Sequence, residues 1–525
     1  MIDRSAHRES PKHWTNQSTQ GIVSSAHYLA TQIGSQILGK GGNAVDAAIA
    51  VSVALGVVEP GGSGLGGMTM MMLHLARQKR TLILAGPCHA PHNATVELAA
   101  QFSRRRGYRA IAVPTNPAVL SAAHKQFATM PLPEILSPVI QLAREGFPIT
   151  PFQNYLREHY LKAILKGNAA PFLLDENLRV PKPGSMIKNR VLAQTIEQLA
   201  GAGFDDFYRG EIGRIILKDM AHNASYLSET DFAENPGPQE MEPIWASFRN
   251  WKIAALPPPG GGIALLQMLN LFEGLEPVDF NPDSPEAALL FTRIIQRCRK
   301  DRRLNKNMPI DFTNWDGPDL ASKTYAKATA TEMQNQWHSG ETTHFNIIDA
   351  GGNVVAATQS IERSFGAKVA TPGLGFLYNG FMAAFRLKDK KHPHYLRPGA
   401  VARSNAAPTI IFENDRPKYA IGSTGSERMA SGIFQVLIRL YKNQSPFDAV
   451  KAPRLHCTPE GEVWLEADRF APGTIDLLKK HGFKIVPYDS AWAFSAGGLN
   501  LATLENGIAG GVGEPRRDGW AAGPE

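Results

Sequence analysis

The feature that most constrains the fold is an apolar run followed at once by a cluster of glycines. Residues 44–58 are almost all Ala, Val, Leu and Ile, with Asp46 near the start. This run is too short to cross a bilayer, so we expect a buried helix whose small side chains allow close packing on its neighbours. Asn43 stands where an N-cap belongs. Five glycines lie between residues 61 and 67, so a tight loop must follow the helix.

The composition excludes several classes of protein. Of the 525 residues, 43% are hydrophobic and 20% are charged, as in an ordinary globular protein of three or four domains or one large fold. The net charge of +7 is mild for this length and indicates neither nucleic acid nor another charged partner. The polar N-terminus lacks the apolar segment of a secretory signal, so we expect a cytoplasmic protein without membrane spans. Three widely spaced cysteines argue against a disulfide framework and a cysteine metal site: Cys88, Cys298 and Cys457.

The hydrophobic pattern predicts a layered α+β arrangement, in which paired strands are covered by helices. Residues 1–20 are expected to form a loose arm, and the basic cluster at 297–303 a solvated helix face. No Lys-Ser/Thr follows the Gly-rich turn at 257–262, so close backbone packing explains it better than phosphate binding. Helices are predicted at 26–38, 44–58, 263–271, 429–442 and 473–481, and strands at 70–75, 81–84, 343–349, 354–358, 409–412, 419–421 and 463–465.

The sequence contains no HExxH, GxSxG or Walker A motif, which leaves a less obvious nucleophile, Thr342. A threonine hydroxyl needs a base beside it, and the most compact base is its own α-amine. Backbone cleavage between Glu341 and Thr342 would create that amine. The Thr342 hydroxyl can make the cut itself by attacking the Glu341 carbonyl, giving an ester that water resolves. From spacing alone, a structural Thr-Thr pair at a strand start is the better interpretation.

Four ordered blocks nevertheless resemble the γ-glutamyltransferase family of N-terminal nucleophile hydrolases along nearly the whole chain. A chance Thr-Thr-His alone would be a weak match, whereas four blocks in order are a strong one. The blocks are residues 39–48 with 57–67, residues 257–263, residues 342–349 with 352–360, and residues 408–410 with 422–426.

The resemblance implies a four-layer αββα sandwich of the N-terminal nucleophile hydrolase type, made as a proenzyme. Cleavage would give a large subunit 1–341 and a small subunit 342–525 that form one intertwined fold. Pairing of two such heterodimers is left open. The resemblance implies neither a metal nor another cofactor.

The resemblance also assigns roles in catalysis. Thr342 would supply both the hydroxyl and the amine. Thr358 matches a position beside the nucleophile, where its hydroxyl would bond to the amine or Oγ, and Ser360 replaces a threonine two residues later. Gly425 and Ser426 fall where backbone N–H groups form the oxyanion hole, which a serine in place of a glycine need not abolish.

The groups that hold a γ-glutamyl substrate in this family are mostly replaced. Ser404 and Asn405 match a serine pair that contacts the substrate's α-carboxylate, but the carboxylate-binding arginine has become Pro87. The Gln and Asp that hold the amine are replaced by Phe381 and Ala384, and a nearby asparagine is replaced by Glu362. Losing an arginine clamp and an anionic partner of the amine would each cost about 2–4 kcal/mol, which argues against ordinary glutathione handling.

We therefore expect an amidohydrolase of small acidic amides. Phe381 adds bulk where the amino end of glutamate would lie. Within the family, the chain is similar to the oxamate amidohydrolase branch of purine (uric acid and allantoin) catabolism, which converts oxamate to oxalate and ammonia. A structural ion pair is an equally good interpretation of each arginine among the candidate ligands of the substrate carboxylate, which are Arg403, Arg428, Ser404, Asn405 and His89.

Two alternatives stay open. The first is a hydrolase or transferase of larger amides, such as γ-glutamyl compounds or a glutaryl-cephalosporin-like acyl group. The second is a catalytically silent family member that acts as a binding protein, against which the intact Thr342, Thr358 and Gly425 argue. The sequence does not decide whether water or a second amine accepts the acyl group.

Overall fold

Two seven-stranded antiparallel sheets form the centre of the molecule. The computed structural model describes residues 14–304, 320–325, 342–488 and 496–524, apart from residue 236 and the side chains of residues 302–304. The strands are β1 (Thr15–Ser18), β2 (Gly21–Ser25), β3 (Met68–Leu75), β4 (Arg80–Gly86), β5 (Phe147–Pro148), β6 (Met186–Ile187), β7 (Gln239–Met241), β8 (Ile244–Phe248), β9 (Trp251–Ala255), β10 (Thr343–Asp349), β11 (Val354–Ser360), β12 (Thr409–Glu413), β13 (Arg416–Ser423), β14 (Leu455–Cys457), β15 (Glu462–Leu465), β16 (Lys484–Pro487), β17 (Leu499–Glu505), β18 (Ile508–Val512) and β19 (Trp520–Ala522).

Helices connect these strands and cover them. They are α1 (Tyr28–Gly39), α2 (Ala44–Val58), α3 (Val96–Gln101), α4 (Asn116–Phe127), α5 (Leu132–Glu145), α6 (Pro151–Ile164), α7 (Ala170–Leu173), α8 (Arg190–Ala202), α9 (Asp206–Arg209), α10 (Glu211–His222), α11 (Glu229–Ala233), α12 (Gly262–Leu275), α13 (Pro285–Leu304), α14 (Arg428–Tyr441), α15 (Pro446–Lys451) and α16 (Thr474–Lys480). In the described part of the chain, none of these helices is long and apolar enough to cross a membrane.

The strand order interleaves the two parts of the chain that flank residue 342. Sheet I has the order β1-β18-β17-β13-β12-β9-β8, and sheet II has the order β19-β2-β10-β11-β3-β4-β7. Each sheet therefore contains strands from both sides of residue 342. A cut at that position would leave two chains held together by shared sheets, because neither part has a complete sheet of its own.

Three apolar clusters define four layers. One cluster joins α1, α2, α5 and α8 to the outer face of sheet II. A second joins α12, α13 and α14 to the outer face of sheet I. A third fills the space between the sheets with side chains such as Met70 and Ala356 from sheet II and Ile410 and Ala420 from sheet I. The predicted αββα sandwich is confirmed.

Helix α2 is the buried helix that its composition predicts. Every residue of α2 except Gly56 is buried, and Asn43 caps its first turn in a capping box with Asp46. Close packing on α1 depends on small side chains, since a Cβ on Gly34 would lie 2.5 Å from a Val51 methyl carbon. The N-cap and the tight helix pairing are both confirmed.

The glycine cluster after α2 is required by close backbone approach. A Cβ on Gly62 would lie 2.5 Å from Thr343 Oγ1, and a Cβ on Gly67 would lie 2.5 Å from the Ser360 carbonyl oxygen. A Cβ on Gly66 would lie 2.3 Å from the Leu377 carbonyl oxygen. The loop therefore packs closely against the open end of the β10–β11 hairpin, where β10 begins and β11 ends.

Two sequence predictions need correction. The expected loose arm includes strand β1, which pairs with β18, while residues 1–13 lie outside the described residues. The basic cluster on α13 is not a solvated face, because Arg297, Arg299, Lys300 and Asp301 are all buried. The cluster includes the carboxylate of Asp301, and ion pairing inside the protein compensates for the loss of hydration: Arg297 Nε donates to Asp301 Oδ1 at 2.8 Å.

Asp46 provides a test of the α2 framework. Its buried carboxylate accepts hydrogen bonds from the N–H groups of Asn43, Thr129 and Met130 and from the Thr129 hydroxyl. We expect Asp46→Ala to lower the free energy of unfolding by about 3 kcal/mol, because several buried donors lose their acceptor. Urea unfolding measures this change, with exposed Glu158→Ala as a control that should stay near zero; equal values would contradict the structural role of Asp46.

Candidate active site

Thr342 directly precedes strand β10 and faces Ser360 at the end of strand β11. The hairpin register pairs Thr343 with Gln359, so the next pair along is Thr342 and Ser360. Thr342 is 3% exposed, and its Oγ1 lies 3.3 Å from Ser360 Oγ. The Ser360 oxygen also accepts the N–H of Glu362 at 2.9 Å. The hydroxyl beside Thr342 is thus that of Ser360.

Thr358 lies two pairs along the hairpin from Thr342 and Ser360, opposite His344, and is bonded to His344. Its Oγ1 is 2.9 Å from His344 Nδ1, and His344 Nε2 is 2.9 Å from Asn346 Oδ1. Burial lowers the pKa of His344 to about 4, so the ring is neutral at neutral pH. Because the Asn346 amide donates to the Asn500 carbonyl, its oxygen accepts from Nε2–H, and Nδ1 must accept from the Thr358 hydroxyl. The predicted contact of Thr358 with Thr342 is therefore replaced by a contact with His344.

Stacking of the two sheets brings the predicted oxyanion turn to the same edge as Thr342. The His344 ring packs on Gly422 near the end of β13, where a Cβ would lie 2.2 Å from the ring. Gly425 and Ser426 follow that strand end with φ values of +100° and +58°. Within the described part of the chain, neither of their backbone N–H groups donates a hydrogen bond. Two unbonded donors in a left-handed turn are what an oxyanion site requires.

Residues 403–405 lie beside this turn. The Asn405 side-chain amide is 3.4 Å from Ser426 Oγ, and Ser404 Oγ accepts the N–H of Ala406 at 3.0 Å. The Gly-rich turn at 257–262 is hydrogen-bonded to the residue that follows this segment, because Gly261 N–H donates to the Ala406 carbonyl at 2.7 Å. A Cβ on Gly261 would lie 2.6 Å from the Asn405 carbonyl oxygen. The predicted close backbone packing is confirmed for that turn.

Arg403, Arg428 and His89 have different surroundings. Arg403 Nη2 lies 3.7 Å from Glu427 Oε1, and a third of its side chain is exposed. The Arg428 side chain packs against the turn, since a Cβ on Gly425 would lie 3.5 Å from Arg428 Nε. Among the described residues, this Nε has no hydrogen-bond partner. His89 pairs through its backbone with residue 401, close to Arg403, and burial lowers the pKa of its ring.

The segment after Ser360 is strained and rich in charge. Glu362, Phe365 and Lys368 all have positive φ, between 60° and 76°. Each such non-glycine residue costs about 1–3 kcal/mol, and such strain is concentrated at functional sites. Burial raises the pKa of Glu362 to about 7, although nearby cations oppose this shift: Arg363, Lys368, Arg403 and Arg105.

The remaining predicted residues are Phe381 and Glu341. Phe381 is buried in the cluster between the sheets, where its bulk fills the core. Glu341, on the other side of the predicted cleavage bond, lies outside the described residues. Among the described residues, no group of three or more His, Cys, Asp or Glu side chains could hold a metal ion.

Sequence reasoning missed Glu427 and Arg299 as members of the site. Two sequence features could have pointed to them. Glu427 directly follows the predicted oxyanion pair, and Arg299 belongs to the basic cluster on α13. The contact between them joins segments more than 120 residues apart in sequence, and spacing could not reveal it.

Comparison with known proteins agrees with the fold. The family model for gamma-glutamyltranspeptidase matches residues 30–524. The acylase ACY 1 proenzyme of Pseudomonas sp. (strain V22) is 31% identical over 95% of this chain and 93% of its own length. The glutathione hydrolase proenzyme of Bacillus subtilis (strain 168) is 29% identical over 96% and 91%. The crystal structure of cephalosporin acylase from Bacillus halodurans superposes with a TM-score of 0.89 at 26% identity, over 100% of this chain and 99% of that chain.

The αββα sandwich places the protein in the N-terminal nucleophile hydrolase class. Within that class, the chain belongs to the gamma-glutamyltranspeptidase family. This family consists of self-processing acyl hydrolases and transferases made as proenzymes.

Glu362 makes stability depend on pH. Because burial raises its folded-state pKa from 4.5 to about 7, the native state binds the proton more tightly than the unfolded chain. Stability should therefore fall as pH rises between these two values. In a Thr342→Ala background, we expect Glu362→Gln to add about 1–3 kcal/mol to the free energy of unfolding at pH 8 and much less at pH 5. Urea titrations at both pH values measure this, and an equal effect at both would contradict it.

Proposed function

We propose that the chain is a proenzyme that cleaves itself between Glu341 and Thr342 and then uses Thr342 as an N-terminal nucleophile. The products would be subunits 1–341 and 342–525. The observation that carries the proposal is the arrangement at one edge of the stacked sheets. The Thr342 hydroxyl lies beside Ser360, and the turn after β13 brings to the same edge the N–H groups of Gly425 and Ser426, which have no acceptor among the described residues.

The proposed reaction needs no group from outside the chain except water. The α-amine of Thr342 takes the hydroxyl proton while Oγ attacks the amide carbonyl carbon. The N–H groups of Gly425 and Ser426 stabilise the oxyanion that forms. The amide nitrogen leaves as the amine or ammonia after taking the proton from the α-amine. Water then hydrolyses the Thr342 ester, which releases the acid and restores the hydroxyl.

The proposed substrate is an amide of a small dicarboxylic acid, with oxamate as the specific choice. Hydrolysis would convert oxamate and water to oxalate and ammonia, as in the breakdown of uric acid and allantoin. The replacement of the family's carboxylate-binding arginine by Pro87 disfavours a γ-glutamyl group. The surplus of cations around Glu362 favours a substrate that carries a negative charge.

A second candidate is an acylase or transferase for glutaryl-type or γ-glutamyl amides. It is supported by the acylase proenzyme at 31% identity and by the cephalosporin acylase structure, each matched over nearly the whole chain. Pairing of two heterodimers, the choice of water as acceptor and a cytoplasmic location stay predictions.

The cleavage step can be tested by mass. We expect purified protein to show two fragments, the smaller beginning with Thr342, whereas Thr342→Ala should stay at the full 57.2 kDa because the attacking oxygen is missing. Intact-mass spectrometry and N-terminal sequencing of the small fragment measure this. Thr343→Ala is the control and should still be cleaved. An efficiently processed Thr342→Ala variant, or an unprocessed wild type, would contradict the assignment.

The substrate class can be tested with a panel of amides. Oxamate, succinamate, glutaryl-p-nitroanilide and γ-glutamyl-p-nitroanilide are compared by release of ammonia or nitroaniline, with Thr342→Ala as the inactive control. We expect the highest kcat/KM for oxamate. Turnover of only the two anilides would favour the second candidate, and a fully cleaved protein inactive on all four would support the binding-protein alternative.

Ser360 and Thr358 make a matched pair for testing the hydroxyl beside the nucleophile. We expect Ser360→Ala to lower kcat by about 10- to 100-fold, since a hydroxyl that positions the nucleophile is lost, and Ser360→Thr to restore most of it. Thr358→Val should act mainly on stability, because its hydroxyl serves the buried His344. Steady-state kinetics and thermal unfolding separate the two effects. A larger loss of kcat in Thr358→Val than in Ser360→Ala would reverse the assignment.

A further inference from the structure

Three charged residues form a chain from α13 to the edge of the site. Glu427 directly follows the proposed oxyanion pair, and its side chain is 5% exposed. It is hydrogen-bonded to Arg299 of α13, whose side chain is 9% exposed. On its other oxygen, Glu427 lies 3.7 Å from Arg403, whose side chain is 33% exposed. The three residues lie on separate elements, and no two of them are within 20 positions in sequence.

The charges in this chain do not balance. The Glu427 carboxylate faces two guanidinium groups, and the hydrogen bond comes from Arg299 Nη2, which donates to Glu427 Oε2. Burial would raise the pKa of Glu427, but the charges of Arg299 and Arg403 outweigh it and lower the pKa to about 2. Glu427 is therefore ionised at neutral pH, and the group of three carries one net positive charge.

That net charge is located on Arg403. Its 3.7 Å distance from Glu427 is too long for a hydrogen bond, and within the described residues its guanidinium makes none. Two other cations nearby are engaged. Arg363 Nε lies 3.1 Å from Glu362 Oε2, and Lys368 Nζ donates to the Gly366 carbonyl at 2.8 Å. Arg403 thus has donors available for a further acceptor.

Arg403 also faces the nucleophile's side of the site. Its charge acts on Glu362, which is two residues after Ser360 and donates its N–H to the Ser360 hydroxyl. Arg403 directly precedes Ser404 and Asn405, and the Asn405 amide contacts Ser426. An amide carbonyl held between Thr342 and the oxyanion turn would therefore have Arg403 beside its acyl group.

We propose that Arg403 binds the carboxylate of the substrate and that Glu427 and Arg299 are positioning residues that fix its guanidinium. This inference rests on the proposed function and names the chemical class that the site selects, an acyl group with a free carboxylate. Glu427 restricts the orientation of the Arg403 guanidinium. Because Arg299 neutralises the Glu427 carboxylate, the positive charge of Arg403 is left to bind the substrate carboxylate. Arg299 lies before residue 342 and the other two after it, so both proposed subunits build this part of the site.

Oxamate and oxamide provide a matched substrate pair, because they differ only in whether the second group is a carboxylate or a neutral amide. We expect Arg403→Met to raise KM for oxamate by about 10- to 100-fold and to leave oxamide turnover within about twofold, since a charged hydrogen bond is lost for one substrate only. Arg403→Lys should recover part of the loss. Exposed Arg416→Met is the control and should match the wild type.

The positioning role makes a separate expectation. Glu427→Gln should raise KM for oxamate by about tenfold with kcat within about twofold, and self-cleavage should be complete by intact mass. Arg299→Met leaves Glu427 without its main partner, so Glu427 should draw Arg403 to itself and weaken oxamate binding in the same way. Equal losses for oxamate and oxamide in these variants would mean a general structural role and would overturn the proposal.

Binding of oxalate separates this inference from the proposed function. Isothermal titration calorimetry with oxalate needs no turnover, and we expect Arg403→Met to weaken binding by about 10- to 100-fold. Arg403-dependent oxalate binding by a protein that hydrolyses none of the amides would refute the proposed reaction and support the anion site. Oxamate turnover with unchanged KM and unchanged oxalate binding in Arg403→Met would refute the anion site and support the reaction.

Discussion

The packing of one neutral histidine between the two sheets determines where the site can form. His344 is fully buried, bonded to Thr358 and Asn346, and pressed against Gly422 of the opposite sheet. A charged ring there would pay a large desolvation cost, and a side chain at residue 422 would push the sheets apart. Because this contact fixes one sheet against the other, the start of β10 and the turn after β13 meet at one edge.

The second constraint is close backbone approach around the β10–β11 hairpin. The glycine loop after α2 contacts the open end of the hairpin, and its carbonyls accept hydrogen bonds from the segment that follows Ser360: Phe365 N–H donates to the Gly61 carbonyl at 2.9 Å. At the other end of the hairpin, Asp349 accepts the N–H of Ala44 at 2.9 Å and so ties the turn to the start of α2. The strain in residues 362–368 is held by this surrounding framework.

Several arginines of the chain are paired with carboxylates in the interior. Arg454 with Glu514 and Arg516 with Glu466 are nearly inaccessible, like Arg299 with Glu427. Removing one partner of such a pair leaves an uncompensated buried charge, which costs about 3–5 kcal/mol. These pairs therefore fix each other's positions, and the mild net charge says little about the surface or its partners. Near the site, the pairing of Glu427 with Arg299 leaves Arg403 with donors that bond to no described residue.

The sequence by itself determined the family, the αββα class and the hairpin that begins at Thr342, because ordered motifs, a buried apolar helix and alternating strands are local signals. It also predicted the glycine turns, because a cluster of glycines marks a segment whose backbone packs too closely to leave room for side chains. Only the tertiary structure decided that Ser360, not Thr358, faces Thr342, since that depends on hairpin register. It also decided that the basic cluster on α13 is buried and reaches Glu427. Such pairings join elements distant in sequence, and their energies come from desolvation and distance, which no local pattern encodes.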